Sequence, residues 1–519
     1  MGITADYRLI KHVGLVTDYP AEIVPEEFWT GGVGFQFQDG TTARVDGYAR
    51  YAAGLMPAGK VPIYCAPISW DDINWWLWFT ESEVWVTDGT THYDLTPTAG
   101  LVPCDPGDWS YDVLGGIPVF NNPNNPPMFW NLNTITKAAV LPGWPDGAKC
   151  KSLRALKYHL VALGVTDGGV YYPNLLWWSS AAQPGAVPPE WVPTITNDAG
   201  DTIISDSPGA IVDACSLRDQ LVIYKNSSCY TMQYVAGQYV FAFRKLFGTI
   251  GIQSLNCAVE IDGSNYVFTG EDVIRHDGQN SESMVDRKVL KLFIDLLDVS
   301  RLQLCCLAAQ VVERQLWVCI PVAGTQYLGL AILINTDDGA IGARTLPAVG
   351  SVTRGTINPA GAITQATWEG NPDTWQTTSI IWAQSYYSAN NDSLMMTQPN
   401  ANLLQAVGIG TSADGEPIPT SMQRMSLRLG EGINRSVVTQ VIPQFEGGTG
   451  DTVTVRIGMQ RFFNDPVTWQ APQTYTIGTT RAINQIVDGR YLSVWFQINS
   501  AQAWRFHGYY LKTTESGQY

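Results

Sequence analysis

The residues of this chain that could do chemistry are carboxylates that stand close together between apolar runs. Two carboxyl groups can hydrolyse a glycosidic bond when one acts as an acid and the other as a nucleophile or base. Acidic residues are also common in turns for conformational reasons. The candidate pairs are Asp71 with Asp72, Glu81 with Glu83, and Asp337 with Asp338. All of them fall in loop or turn segments, so we expect a structural role for each pair.

Other signatures of catalysis or cofactor binding are incomplete. Gly54–Val61 has the glycines and the lysine of a phosphate-binding loop. However, Val61 stands where a hydroxyl should meet Mg²⁺, and Pro57 removes a backbone N–H donor. The five histidines lack the spacing of metal ligands, and the glycines of Gly31–Gly34 are typical of a turn. The sequence therefore predicts a chain that is not an enzyme and that binds no cofactor or metal.

The composition is that of a β-rich, turn-rich protein. Of the 519 residues, 15% are charged and 45% hydrophobic, with 49 glycines, 30 prolines and 19 tryptophans, enough apolar residues for a large core. The formal net charge is −16. This charge argues against a surface that grips nucleic acid, because phosphate binding needs basic patches.

Cysteine usage predicts folding in a reducing compartment. The nine cysteines are odd in number, form no C-x-x-C pair and all precede Ile320, so buried free thiols are expected. The N-terminal segment shows no apolar signal-peptide region. No run of 18 apolar residues occurs, so no membrane span is expected.

Strand runs alternate with tight turns in Ile211–Gly278, around which the rest of the chain is organised. Asp262-Gly263 between two apolar runs is a strong hairpin signal. Such meanders cannot bury both faces alone and need neighbours of the same kind. In Trp75–Phe79 the odd-numbered and the even-numbered residues are all apolar. Because successive side chains of a strand point to opposite faces, this predicts a strand covered on both faces. Stacked propeller blades provide that environment.

Short polar turns between two apolar runs, which we call polar corners, occur at Lys157, Arg218, Asp262 and Glu313. They recur about 44 to 61 residues apart, near the period of propeller repeats. We predict an all-β chain with a six- or seven-bladed β-propeller, one helix inserted at Ser281–Leu297, and a C-terminal β-sandwich. The predicted domains are N-terminal strands entering the propeller (residues 1–50), the propeller (51–398), a linker (399–434) and the sandwich (435–519).

The ordered set of motifs resembles the tail nozzle, or packaged-DNA stabilisation, proteins of short-tailed bacteriophages. Each motif is weak alone, and the set covers nearly the whole chain in order. The matching stretches are Phe35–Tyr48, Trp177–Ser180 with Pro189–Trp191, Lys245–Ser254, Gly263–Gly278, Ser283–Leu297 and Arg435–Leu511. The chain departs from the family pattern near Gly34, where the family usually has asparagine, and this affects the placement of the first blade.

The resemblance implies a structural virion protein of the tail, made in the host cytoplasm, that forms a homohexameric ring below the portal and adaptor rings. Double-stranded DNA would be retained and then conducted through it without sequence-specific contacts. Two Pro/Asn-rich loops are candidate channel constrictions. Their residues are Asn121, Asn122, Asn124, Asn125, Pro142 and Asp146.

Two alternatives stay open. A receptor-binding or tail-fibre protein would expose aromatic residues clustered on one face. A propeller-fold glycoside hydrolase would bring carboxylates together in the central channel at a hydrolytic spacing.

Overall fold

The computed structural model describes residues 6–51, 56–71, 73–235, 239–357, 392–429 and 434–517. Seven short strands open the chain. They are β1 (Asp6–Ile10), β2 (Gly14–Leu15), β3 (Phe28–Trp29), β4 (Gly31–Val33), β5 (Phe35–Gln38), β6 (Thr41–Arg44) and β7 (Tyr48–Tyr51).

The next twelve strands form three four-stranded antiparallel sheets, blades 1 to 3. Blade 1 has β8 (Tyr64–Trp70), β9 (Ile73–Phe79), β10 (Val84–Thr87) and β11 (His92–Asp94). Blade 2 has β12 (Ser110–Leu114), β13 (Ile117–Asn121), β14 (Met128–Phe129) and β15 (Ala139–Val140). Blade 3 has β16 (Lys149–Leu156), β17 (His159–Asp167), β18 (Val170–Trp178) and β19 (Gly200–Ile203).

Blades 4 and 5 repeat this meander, and a short helix follows them. Blade 4 has β20 (Ile211–Leu217), β21 (Gln220–Lys225), β22 (Cys229–Tyr234) and β23 (Phe241–Phe247). Blade 5 has β24 (Ala258–Ile261), β25 (Ser264–Phe268), β26 (Val273–His276) and β27 (Ser281–Ser283). Helix α1 (Leu290–Leu296) and a 3-10 helix (Val299–Leu304) lead into blade 6.

Blade 7 is completed by a strand from the N-terminal region. Blade 6 has β28 (Cys306–Gln310), β29 (Gln315–Pro321), β30 (Leu328–Asn335) and β31 (Ile341–Val349). Blade 7 has β32 (Val352–Thr356), β33 (Asp392–Gln398) and β34 (Leu403–Val407), with a 3-10 helix at Pro399–Ala401. Strand β7 pairs with β34 as its fourth strand. The described residues therefore form a seven-bladed propeller. The ring of blades is closed in blade 7, where the N-terminal strand β7 pairs with β34.

The remaining strands build a sandwich together with most of the N-terminal strands. They are β35 (Ile418–Arg428), β36 (Arg435–Gly447), β37 (Thr452–Gln460), β38 (Thr468–Trp469), β39 (Gln473–Thr476), β40 (Ile483–Gly489), β41 (Tyr491–Ser500) and β42 (Trp504–Gly517). One sheet orders β38-β37-β41-β35-β4. The other orders β40-β36-β42-β6-β5 and continues through β31 into blade 6. The sandwich and blade 6 thus share one sheet.

The apolar core lies between neighbouring blades, as the sequence of β9 predicts. Trp76 and Trp78 pack in the cluster between blades 7 and 1. Trp75, Leu77 and Phe79 pack in the cluster between blades 1 and 2. Alternate side chains of one strand therefore fill two different blade interfaces, and the prediction of a strand covered on both faces is confirmed.

The recurring polar corners are equivalent turns of successive blades. Lys157, Arg218, Asp262 and Arg314 have φ of 55°, 57°, 49° and 51°, and each lies in the turn between the first and second strands of its blade. In blade 5 the next residue, Gly263, also has positive φ, as a two-residue hairpin turn requires. Sequence similarity between the blades is weak, but the backbone conformation of this turn is repeated from blade to blade.

The inserted helix is shorter than the sequence predicts. Ser281–Ser283 is strand β27 rather than helix, because it pairs with β26 as the outer strand of blade 5. Arg287 has φ of 58°, a conformation that an α-helix cannot include. The predicted apolar face still exists, since Val285, Val289 and Phe293 are buried.

The observed domain boundaries also differ from the predicted ones. Within residues 1–50, only β7 belongs to the propeller, and β1, β4, β5 and β6 belong to the sandwich. The predicted linker contains β34 of blade 7 and β35 of the sandwich. The apolar unit expected at Thr374–Met396 lies mostly outside the described residues.

Candidate functional site

The structure places the carboxylate pairs in turns and does not bring them together. Asp71 lies in the first turn of blade 1, and Asp72 lies outside the described residues. Glu83 receives hydrogen bonds from Lys60 at 2.5 Å and from the Trp85 indole at 3.1 Å. Asp337 pairs with Arg314 at 2.6 Å. Lys60, the lysine of the phosphate-loop-like stretch, is thus engaged with Glu83.

Strand direction separates these carboxylates further. In an antiparallel blade, the first and third turns lie at one end and the second turn at the other. Asp71 and Asp337 therefore share one end of the propeller, but on blades 1 and 6. Glu81 and Glu83 lie at the opposite end. Among the described residues, the predicted carboxylates therefore do not have the convergent placement that glycoside hydrolysis requires.

The candidate constriction loops are tied to neighbouring segments by their amides. Asn121 is a buried residue of β13 and donates to the Cys150 carbonyl at 2.8 Å. Asn125 donates to Asn122 and to the Val102 carbonyl. These three asparagines are buried, which differs from the expected loop projecting into a channel. The more accessible members are Asn124, Pro142 and Asp146.

Within the described residues, no three His, Cys, Asp or Glu side chains form a group that could hold a metal ion. Buried histidines instead serve packing. His159 contacts the Ser179 carbonyl through Nδ1 at 2.9 Å. The α-helix of the described part is too short to cross a membrane.

A polar cavity of about 520 Å³ lies at the centre of the propeller, and we call it the central cavity. All seven blades line it through their innermost strands. The residues used below are Asp112, Arg154, Lys157, Cys305, Cys306 and Arg354. This volume suits a small molecule.

An ion pair between blades 3 and 4 lies at the wall of this cavity. Arg154 donates from Nε and Nη2 to the Asp213 carboxylate at 2.8 and 2.6 Å. Its Nη1 donates to the Tyr111 carbonyl, and Nη2 also reaches Asn256. Asp213 accepts further hydrogen bonds from Ser152 and the Asn256 amide. Blades 2 to 5 are therefore linked through one arginine and one aspartate.

The pKa of Asp213 reflects this network. Burial alone would raise it, but the charge and the hydrogen bonds of Arg154 outweigh burial and lower the pKa below the ordinary value. Neither Arg154 nor Asp213 was predicted from the sequence. The available signal was a charged residue inside an apolar strand shortly before a polar corner, at Arg154 before Lys157 and at Asp213 before Arg218.

Asp112 behaves differently on the same cavity wall. Burial raises the pKa of its carboxyl, and this outweighs the attraction of Arg154 and the backbone N–H groups of Ala155 and Val113. Those two N–H groups donate to its oxygens at 2.8 Å each. The raised pKa makes this carboxyl easier to protonate than an ordinary aspartate.

A second notable feature is an apolar hairpin on the outside of blade 3. Residues 170–172 of β18 pair with β17 on one side, whereas β19 pairs only with Leu175–Trp178. The other edge of 170–172 is therefore open in the described structure. Val170, Tyr171 and Tyr172 are 53%, 47% and 43% exposed. An open strand edge with apolar side chains is a template for pairing with another chain.

Exposed aromatic residues also occur at one end of the sandwich. Phe462, Phe463 and Trp469 lie in and beside the connection between β37 and β38 and are all solvent-exposed. Arg490 lies over the Phe462 ring at 5.2 Å. This cluster is the kind of surface that a receptor-binding protein would present, and that alternative remains a prediction.

No family model and no curated protein match the chain. Among solved structures, it is similar to a gluconolactonase-like protein, with 7% identity and a TM-score of 0.32, covering 70% of this chain and 91% of that one. It is also similar to a puromycin hydrolase, with 12% identity and a TM-score of 0.35, covering 60% of this chain and 52% of that one.

Both similar structures are named as enzymes, a gluconolactonase and a puromycin hydrolase, and this stands against the expectation that the chain is not an enzyme. The likeness concerns the propeller fold. At these identities it assigns no substrate and no catalytic residue.

Proposed function

We propose that the chain is a ring-forming structural subunit of a bacteriophage tail, a nozzle that retains packaged DNA and conducts it during genome ejection. The observation that supports assembly into a ring is the open apolar edge of the blade 3 hairpin. Support for the nozzle comes from the order of elements, in which a propeller with an inserted helix precedes a sandwich, as in the family that the sequence resembles.

The hairpin suits contact between copies of an acidic chain. Each copy carries a net charge of −16, so copies repel each other and need an uncharged contact surface. Residues 170–174 read VYYPN and contain no charged side chain. Contacts between two different surfaces of identical chains generate a closed ring when the rotation closes.

The propeller axis itself does not offer a passage for duplex DNA. The central cavity of about 520 Å³ has the volume of a small-molecule site, and the Arg154–Asp213 pair bridges its wall. In the proposed assembly, DNA therefore passes along the axis of the ring, between copies. The portal and adaptor rings and other tail proteins are the expected neighbours.

The test is the oligomeric state of the full chain, measured by native mass spectrometry and electron microscopy. We expect a closed ring, most simply a hexamer. The variant Tyr171→Ser with Tyr172→Ser should dissociate it, whereas Phe462→Ser with Phe463→Ser, a matched pair of exposed aromatics, should not. A chain that stays monomeric at high concentration and in the particle would contradict the proposal. A ring that survives the hairpin variant would exclude the hairpin as the contact.

A second candidate function is hydrolysis of a small substrate, such as a glycoside, in the central cavity. The specific observation is Asp112, whose raised pKa suits a general acid. Lys157 lines the same cavity and supplies a positive charge for an anionic group of a substrate. Turnover of chromogenic glycosides that is lost in Asp112→Asn and retained in Asp337→Asn would support this function. Equal activity in both variants would exclude Asp112.

A further inference from the structure

Cys306 and Cys319 stand directly opposite each other on neighbouring strands of blade 6. Strand β28 begins at Cys306, and the antiparallel register pairs this residue with Cys319 of β29. Both side chains are buried, at 7% and 0% exposure, and both are free thiols. Directly opposed residues of an antiparallel pair have Cα atoms about 4.5 or 5.5 Å apart. Either spacing lies inside the range that a disulfide spans.

The position of the pair in the ladder allows the small adjustment that a disulfide needs. Opposed Cβ atoms lie about 4.5–5.5 Å apart, and a disulfide brings them to about 3.5–4.5 Å. Cys306 is the first residue of its strand and follows a 3-10 helix. The pairing of β29 with β30 shifts register between Ile320 and Pro321, one residue beyond Cys319. The regular pairing of β28 with β29 therefore ends at the two cysteines, and that of β29 with β30 becomes irregular one residue beyond Cys319.

The two thiols also interact and differ in access. A hydrogen bond from Cys319 lowers the pKa of Cys306, and the same bond together with burial raises the pKa of Cys319. Cys306 is among the residues that line the central cavity and is 7% exposed, whereas Cys319 does not line the cavity and is 0% exposed. Cys306 is therefore suited to react first and Cys319 second, because the thiolate is the nucleophile.

We propose that Cys306 and Cys319 form a redox-reactive pair that closes to a cross-strand disulfide when the protein meets a small disulfide oxidant. The Cys306 thiolate attacks the oxidant, forms a mixed disulfide and releases one small thiol. The Cys319 thiol then loses its proton and attacks the Cys306 sulfur, which releases the second small thiol. Two protein thiols are oxidised and one small disulfide is reduced to two thiols.

The consequence is a covalent link within the blade that carries the sandwich. Blade 6 continues through β31 and β5 into the sandwich sheet, so a link between β28 and β29 restrains this connected sheet. A protein folded in reducing conditions would gain the link on transfer to oxidising conditions. This inference concerns the pair alone and holds for either function proposed above.

The test treats the folded full chain with oxidised glutathione, blocks the remaining thiols with iodoacetamide and digests with trypsin. Cleavage after Arg301, Arg314 and Arg344 gives the peptides 302–314 and 315–344. We expect these peptides joined by a disulfide in the wild type, with Cys305 carbamidomethylated and a mass about 2 Da below the sum of the two peptides in that form, because two hydrogens are lost. Peptide 302–314 also contains Cys305, so Cys305→Ala is the matched control.

The linked peptides should persist in Cys305→Ala and disappear in Cys306→Ala and Cys319→Ala. Thermal unfolding gives a second readout, in which oxidation raises the melting temperature of the wild type and of Cys305→Ala but not of Cys306→Ala. Persistence of the link in Cys306→Ala would overturn the proposal. So would a wild type that stays reduced, or that carries only bound glutathione, after treatment in the folded state.

Discussion

Arg154 of blade 3 and Asp213 of blade 4 form a buried two-point ion pair beside the propeller axis, with nitrogen–oxygen distances of 2.8 and 2.6 Å. The Arg154 and Asp213 side chains are 12% and 3% exposed. Because Arg154 also donates to the Tyr111 carbonyl of blade 2, removing it leaves a buried carboxylate without its cation and removes a hydrogen bond between blades 2 and 3.

Arg154→Met should therefore destabilise the protein strongly. Breaking a buried ion pair by removing one partner costs about 3–5 kcal/mol. Arg50→Met is the matched control, since Arg50 pairs with Asp414 at 2.8 Å on the surface and such pairs contribute about 0–1 kcal/mol. The measurement is the free energy of unfolding in urea. Equal losses in the two variants would show that the buried pair has no special role.

The pH dependence of stability should contain a contribution from His276. Burial lowers its pKa to about 4, whereas an unfolded histidine titrates near 6.5. Asn265 donates to the Tyr224 hydroxyl at 2.9 Å, and that hydroxyl lies 2.8 Å from His276 Nε2. A Tyr224 hydroxyl that donates to Nε2 requires an unprotonated Nε2, so the folded state favours neutral His276.

The sign follows from the difference in bound protons. Between pH 6.5 and about 4 the unfolded state binds a proton at this position and the folded state does not, so the free energy of unfolding falls as the pH falls. His276→Gln should reduce this slope, measured by urea unfolding at several pH values. His12, whose pKa is also lowered by burial, should contribute to the remaining slope. An unchanged slope in His276→Gln, equal to that of the exposed-site control His507→Gln, would contradict the assignment.

The glycine cluster before β5 should be required for the joining of the N-terminal strands to the sandwich. Gly32 has φ of 131°, and a Cβ there would lie 2.1 Å from the Ser421 carbonyl oxygen of β35. Gly40 also has positive φ, at 69°, but open space around it. Gly40→Ala should cost about 1–2 kcal/mol for the left-handed backbone, and Gly32→Ala should cost more because two backbones must separate. Thermal unfolding of both variants decides this, and equal losses would contradict it.

The sequence was sufficient where the structural signal is local. The apolar run Trp75–Phe79 predicts a strand covered on both faces, and Asp262-Gly263 predicts a hairpin turn. Both signals come from residues next to each other in the chain, and both predictions are confirmed. The predicted helix was too long. Its apolar face exists, but the positive φ of Arg287 and the strand pairing of Ser281–Ser283 exclude the first part of the predicted segment from the helix. The number of blades could be established only from the structure, since the repeat lies in the backbone conformation and not in the sequence.

Pairings between distant parts of the chain could not be predicted from the sequence. Strand β1 pairs with β42, as in Asp6 with Thr513, and β7 completes blade 7. Such long-range pairings leave no periodicity in either segment. The same applies to the central cavity, since Arg154 and Asp213 are 59 residues apart in the chain and meet only when the blades stack. Turn carboxylates such as Asp337 were visible in sequence but proved to be partners of nearby surface groups.

The charge of the chain leads to the last prediction, that the isolated protein binds duplex DNA weakly. The formal net charge is −16, with 31 Lys and Arg against 47 Asp and Glu. Several basic side chains are already paired with acids, such as Arg354 with Asp392 and Arg435 with Asp488. Duplex DNA carries one negative charge per about 1.7 Å, and each neutralised phosphate adds affinity and salt dependence. A conduit that must release a whole genome cannot hold it at many such points.

Fluorescence anisotropy with a labelled duplex at physiological and at low salt tests this prediction. We expect binding weaker than roughly 10⁻⁴ M at physiological salt, the weak end of non-specific affinities. A control variant with lysine at the exposed acids Asp219, Glu271 and Asp286 should bind more tightly and with a steeper salt dependence, because repulsion is removed and phosphate contacts are added. Tight, salt-sensitive binding by the wild type would contradict a low-adhesion conduit and would favour a protein that clamps DNA.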